Sequence, residues 1–189
     1  MEETDMDRTV EVLGVHLEPM TGESIVLLGE RNEVTHVLPI FIGAAEARSI
    51  VVALAGLEPP RPNTHDLMID VMAVAGSRVT GVVVTDLVDG TFHAELDVAA
   101  PSGSERVGCR PSDGIALAVR SGAAIRVDDG VFNAAAVEVE HEPDTAFTDD
   151  QIEAIVSEFE EYLRTAEPED FVIEPEAPED DGADAEGES

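Results

Sequence analysis

Two Arg-Pro pairs fix where helices can begin in this chain. The first opens Arg61-Pro62-Asn63-Thr64-His65-Asp66, and the second opens Arg110-Pro111-Ser112-Asp113. Proline has a locked φ and no N–H, so it is excluded from helix interiors but welcome at a helix start. Each pair is followed by a small polar residue, an acid and an apolar run of helical spacing. The two stretches therefore predict two helix N-termini of similar chemistry, and the chain around them must deliver one to the other.

Upstream, 9–17 and 24–28 alternate between apolar and polar residues and read as a hairpin around Met20-Thr21-Gly22-Glu23. A third strand over 34–42 ends in the dense run Val37-Leu38-Pro39-Ile40-Phe41-Ile42, with Pro39 marking an edge or bulge. A helix is expected over 44–55 with Gly56 as its stop, then a second over 65–75 capped by Thr64. Leu67, Met68, Val71, Met72 and Val74 cover more than one face of that second helix, which predicts that it is well buried. Strands follow at 78–88 and 91–98, joined by the hairpin signal Asp89-Gly90, and a short one at 106–109. The third helix runs over 111–121 to Gly122, followed by a strand at 124–127 and a turn or two of helix at 130–136.

Beyond this, Thr148 and Gln151 form a capping-box pair before an amphipathic helix to Arg164. Ile152, Ile155, Val156, Phe159 and Leu163 share its apolar stripe, which must dock on the domain or on a partner. Phe171 and Val172 offer a further anchor. From Glu174 the chain is Pro, Glu, Asp, Ala and Gly, a composition that predicts disorder. The expected organisation is a flexible N-terminus at 1–8, a domain at 9–137, a linker and helical extension at 138–173, and an acidic tail at 174–189. The fold class is α/β (α+β-like): a mixed sheet with about three helices packed on it.

Composition sharpens this. With no Trp, 1 Tyr and 6 Phe, the core must be aliphatic. The net charge is −32, and all 10 bases are Arg. Residues 138–189 hold 21 acids and one base, Arg164, so the tail carries much of the excess. A solubilising surface explains this; so does life in a salt-rich cytoplasm, where ions screen self-repulsion. The lack of Lys fits a halophilic host and equally a GC-rich genome. One cysteine, Cys109, excludes an internal disulfide. The acidic N-terminus has no apolar run before Val10, and nothing approaches the roughly 20 apolar residues that span a bilayer. A cytoplasmic location and no membrane partner are expected.

The paired helix starts also concentrate the chemistry. A helix N-terminus presents unpaired N–H groups and partial positive charge, so Arg61 and Arg110 beside two such ends make an anion site. Asp66 and Asp113 lie in the first turns. Either they hold a divalent cation that bridges to phosphate, or they compensate the helix dipoles and pair with the arginines structurally. His65 is a general base, a metal ligand or a hydrogen-bonded structural residue. Glu46 is a third acid or another first-turn carboxylate. Cys109 reads as a small buried residue, and Arg120 as a cation at a helix C-terminus. No Gly-rich phosphate loop, His-rich zinc motif or nucleophile elbow is present. No basic patch interleaved with aromatics supports broad nucleic-acid binding.

Leu38-Pro39-Ile40-Phe41-Ile42-Gly43 with Glu46-Ala47, Arg61-Pro62 with Thr64-His65-Asp66-Leu67, Asp89-Gly90-Thr91-Phe92-His93-Ala94, and Arg110-Pro111-Ser112-Asp113 with Ile115-Ala116-Leu117-Ala118 together resemble the bifunctional nuclease family. The resemblance covers about residues 9–137. It implies a compact α/β domain, a homo-oligomer, and RNase and DNase activity of the kind described for plant members. Two departures stand out: Gly108-Cys109 replaces the usual Asp-Ala, and Gly114 replaces Ala. On this resemblance the leading expectation is a nuclease acting on RNA or DNA. Arg61, Thr64, Arg110 and Ser112 would hold phosphate, and Asp66 and Asp113 with Glu46 would hold Mg²⁺ or Mn²⁺. His65, Asp66 and Asp113 would be the catalytic groups. The competing expectation is a non-catalytic module that binds an anion or a protein, its motifs serving fold and assembly.

Overall fold

The alternating segments become eight strands of one mixed sheet. They are β1 (Asp7–Leu17), β2 (Ser24–Gly29), β3 (His36–Ile42), β4 (Arg78–Val88), β5 (Thr91–Ala100), β6 (Gly103–Cys109), β7 (Ala124–Asp128) and β8 (Val137–Glu138). Their order is β6-β5-β4-β7-β1-β2-β3-β8. The computed structural model describes residues 7–18, 21–30, 35–139 and 148–165. The expected flexibility at the N-terminus before residue 7, the strand start at Val34, the anchor at Phe171 and Val172 and the disordered tail lie outside the described residues, as does the Leu163 side chain.

Neighbouring strands are antiparallel except β4 and β7, which pair in parallel from Gly81–Ala124 to Val84–Val127. A parallel pair needs a crossover, and helix α3 (Pro111–Ser121) lies on that path. Val88 leads into Asp89 (φ 49°) and Gly90 (φ 73°), the two left-handed residues that a tight type I′ hairpin requires. Pro39 lies opposite Leu27 of β2. On its other side β8 pairs only with His36 and Val37, so the missing proline N–H faces an open edge. The two-residue β8 is too short to show alternation and was not expected.

Four more helices flank the sheet: α1 (Ala44–Leu54), α2 (Thr64–Val74), α4 (Asp129–Ala135) and α5 (Asp149–Thr165). The core is aliphatic, as composition requires. All six residues of β2 are buried, and α3 buries seven of its eleven. The apolar stripe of α5 docks on this chain's own sheet: Ile152, Ile155, Val156 and Phe159 join the core, and Phe159 stacks on Phe92 with ring centroids 5.8 Å apart. Full burial of one such side chain contributes about 1.5–3 kcal/mol. Gly114 sets how closely α3 approaches the sheet, because a Cβ there would run into Val82 Cγ2.

Two expectations are corrected at α2. Its N-cap is Asn63, not Thr64. Asn63 Oδ1 accepts from the backbone N–H of His65 (3.0 Å) and Asp66 (3.1 Å), and Asp66 Oδ2 accepts from Asn63 N–H at 2.9 Å. That reciprocal box outcompetes a Thr cap one residue later. Nor is α2 well buried: His65 is its one buried residue, while Val71 is 58% and Val74 91% exposed. Helical spacing distinguishes apolar from polar faces, but it does not say what covers an apolar face.

Candidate active-site groove

Helices α1, α2 and α3 each contribute to one groove of about 970 Å³, with β6 along its wall. Its polar lining includes Glu46, Arg48 and Ser49 from α1, Thr64 and His65 from α2, and Asp113 from α3, with Arg110 at the α3 N-cap.

Asp113 sits at the centre. Arg110 donates to it twice, through Nε to Oδ2 at 2.7 Å and Nη2 to Oδ1 at 3.1 Å. The same Nη2 donates to Glu46 Oε1 at 2.8 Å, so Arg110 bridges two carboxylates. His65 Nε2 lies 3.1 Å from Asp113 Oδ1, and its Nδ1 lies 2.8 Å from Ser49 Oγ. Behind these, Arg120 donates through Nη2 to Ser49 Oγ at 2.9 Å and to Ser49 O at 3.1 Å. Arg120 Nε also donates to Asp66 Oδ1 at 2.6 Å. One polar chain therefore runs from Asp66 through Arg120, Ser49, His65, Asp113 and Arg110 to Glu46.

The electrostatics follow from these contacts. Burial pushes the Asp113 carboxyl up, but hydrogen bonds from Arg110 and His65, with the charge of Arg110, bring it below its ordinary value. Asp66 likewise stands lowered: burial opposes ionisation, and Arg120 with the Asn63 N–H overcomes it. Arg110 is held more firmly protonated by Asp113 and Glu46. Burial and the neighbouring Asp113 charge push the Cys109 thiol up to about 11, which keeps it protonated and inert.

The residues expected at the site divide clearly. Glu46, Thr64, His65, Arg110 and Asp113 share the groove. Arg61 is exposed and stands outside its lining. Ser112 is buried and lines a separate cavity of about 330 Å³ beside Phe159. Asp66 stands outside the groove lining, with one carboxylate oxygen on the cap and the other on Arg120, so it does not join Glu46 and Asp113 there. Among the described residues, no three His, Cys, Asp or Glu side chains gather closely enough to hold a metal ion.

Three contributors went unassigned from sequence. Ser49 and Arg48 lie within one turn of Glu46, the spacing that could have flagged them. Arg120 looked like dipole compensation, and no local pattern distinguishes that from a buried hub. Arg48 makes no ion pair among the described residues, unlike Arg110 and Arg120.

A mixed α/β domain with a groove joining histidine, carboxylates and arginine is the class this fold and site define. The chain belongs to the bifunctional nuclease domain family, whose sequence profile matches residues 26–140. It is also similar to the uncharacterized proteins MT1877 and Rv1829 of Mycobacterium tuberculosis strains CDC 1551 / Oshkosh and ATCC 25618 / H37Rv. Each is 38% identical over 162 residues, which cover 86% of this chain and 96% of the relative.

Proposed function

We propose that this protein is a nuclease that hydrolyses phosphodiester bonds of RNA, DNA or both. The observation that carries this reading is the convergence of Glu46, His65, Arg110 and Asp113, drawn from three helices, on one groove. Arg48 is the groove arginine left unpaired among the described residues, which suits it to a first phosphate contact. Arg110 would exchange a carboxylate for phosphate as the substrate seats, with Thr64 beside it. Asp113, bonded to His65, is the α3 carboxylate that faces the groove. A bound Mg²⁺ or Mn²⁺ would supply Lewis-acid polarisation of a phosphoryl oxygen; Glu46 and Asp113 are the acids to hold it once Arg110 releases them. A net charge of −32 repels a polyanion, so activity should depend strongly on salt and cations.

The test is a cleavage assay on RNA and DNA, titrated with Mg²⁺ and Mn²⁺ at low and molar salt. Wild type should cleave, and Asp113→Asn should lose at least roughly a hundredfold. Equal activity in that variant would sink the assignment.

The second reading is a non-catalytic module that binds an anion or a protein. The exposed apolar face of α2 favours it, because surfaces of that kind mark association sites. The same face supports a homo-oligomer. Among the described residues, no helix is long and apolar enough to cross a membrane, and we propose a cytoplasmic location.

A further inference from the structure

Ser49, His65 and Asp113 have the connectivity of a nucleophile, a base and an orienting acid, but burial reverses its direction. Ser49 is buried and the His65 side chain is 10% exposed, whereas the Asp113 side chain is 30% exposed. The member that meets the groove most openly is the carboxylate, not the hydroxyl.

Proton positions follow from what each partner can do. Arg120 only donates, so Ser49 Oγ accepts from it. Ser49 Oγ has no other side-chain or backbone partner among the described residues except His65 Nδ1 at 2.8 Å, so the hydroxyl proton points to that nitrogen. At the far side of the ring, ionised Asp113 only accepts, so Nε2 must carry a proton. Both constraints select one neutral tautomer, with the proton on Nε2. Arg120 is itself fixed by Asp66 Oδ1 and by the carbonyls of Ala116 and Ser49, so its direction of donation is rigid.

We infer that Ser49 and Arg120 are positioning residues that lock His65 as an Nε2–H donor to Asp113, which orients the Asp113 carboxylate at the groove. His65 thereby fixes that carboxylate from behind. The inference rests on the nuclease reading for its kinetic consequence, but not for the tautomer itself.

The experiment is long-range ¹H–¹⁵N spectroscopy of His65 in the full chain, at a pH where the ring is neutral. Wild type should show the proton on Nε2; a proton on Nδ1 would overturn the lock without any variant being made. In Asp113→Asn, confirmed folded by its thermal transition, the Ser49 hydroxyl should by itself still hold the proton on Nε2, and a ring that populates both tautomers there would equally overturn the lock. Ser49→Ala removes the partner of Nδ1 and loosens the ring. Kinetically, kcat on a cleavable oligonucleotide should fall roughly 10- to 100-fold with KM nearly unchanged, and Ser49→Thr, which keeps the hydroxyl, should recover most of it. A fall confined to KM would refute positioning. Phosphylation of wild-type Ser49 by a fluorophosphonate, absent in His65→Ala, would make Ser49 a nucleophile and also overturn the proposal. If no preparation cleaves nucleic acid, the nuclease reading fails while the tautomer result still decides the lock.

Discussion

Arg120 and Asp66 join the last turn of α3 to the first turn of α2 through a 2.6 Å contact between Nε and Oδ1. The arginine is 8% exposed at its side chain, so the pair is shielded. Arg120→Met should destabilise the fold by about 3 kcal/mol, since it leaves a lowered carboxylate without its partner. Acid should expose the same link. Asp66 is depressed in the folded state, so its contribution is complete above the unfolded value and fades as pH falls through the lower folded one. The thermal midpoint of wild type should therefore drop between about pH 5 and pH 3 by more than that of Arg120→Met. Parallel curves would refute this link.

Gly114 gives α3 its close seat on Val82. Gly114→Ala should cost about 1–3 kcal/mol by overpacking, despite alanine's better helix propensity. Adding Val82→Ala removes the opposing methyl groups, so the double variant should be more stable than the two single losses summed. Denaturant melts of the four proteins measure this coupling.

Gly108 lies in the groove wall, and a Cβ there meets nothing within 4 Å. Gly108→Asp should thus fold normally while adding a carboxylate near Asp113. If Glu46 and Asp113 hold a divalent ion, Mn²⁺ should bind roughly tenfold tighter to this variant by calorimetry, because hard cations favour more carboxylate oxygens. No gain would count against a metal at this end of the groove.

Cys109 is predicted to be a poor nucleophile. With its thiol pushed up to about 11, alkylation by iodoacetamide at pH 8 should run roughly a hundredfold slower than for an ordinary thiol. Denaturation should restore the ordinary rate, which mass spectrometry can follow.

The outer face of α2 presents Leu67, Met68, Val71 and Val74 to solvent. If copies of this chain associate there, Val71→Asp should shift sedimentation toward the monomer and leave the unfolding free energy of the monomer within about 0.5 kcal/mol of wild type. An unchanged oligomer would clear α2 of that role.

Much of the fold was legible in local chemistry. Asp89-Gly90 dictated a hairpin because only that turn tolerates two left-handed residues. The Ile152–Phe159 stripe identified a docking helix through its period. What sequence hid was contact over distance. Asp66 and Asp113 are each the third residue of their helices, yet one is spent on Arg120 and the cap while the other faces the groove. Arg61 and Arg110 match equally well, and only Arg110 lies at the site. Period and capping rules report a residue's own helix; they carry no information about which other helix packs against it. The burial expected of α2 failed for that reason.

The bonds of the groove span long stretches of chain: 16 residues from Ser49 to His65, 48 from His65 to Asp113, 64 from Glu46 to Arg110 and 71 from Ser49 to Arg120. Each closes a loop whose entropy must be lost before the contact forms. A nascent chain emerging from the ribosome as far as Cys109 already contains Glu46, Ser49 and His65, and with them the Ser49–His65 contact, but lacks Arg110, Asp113 and Arg120. The groove is thus a late event of synthesis, assembled when α3 folds onto the sheet.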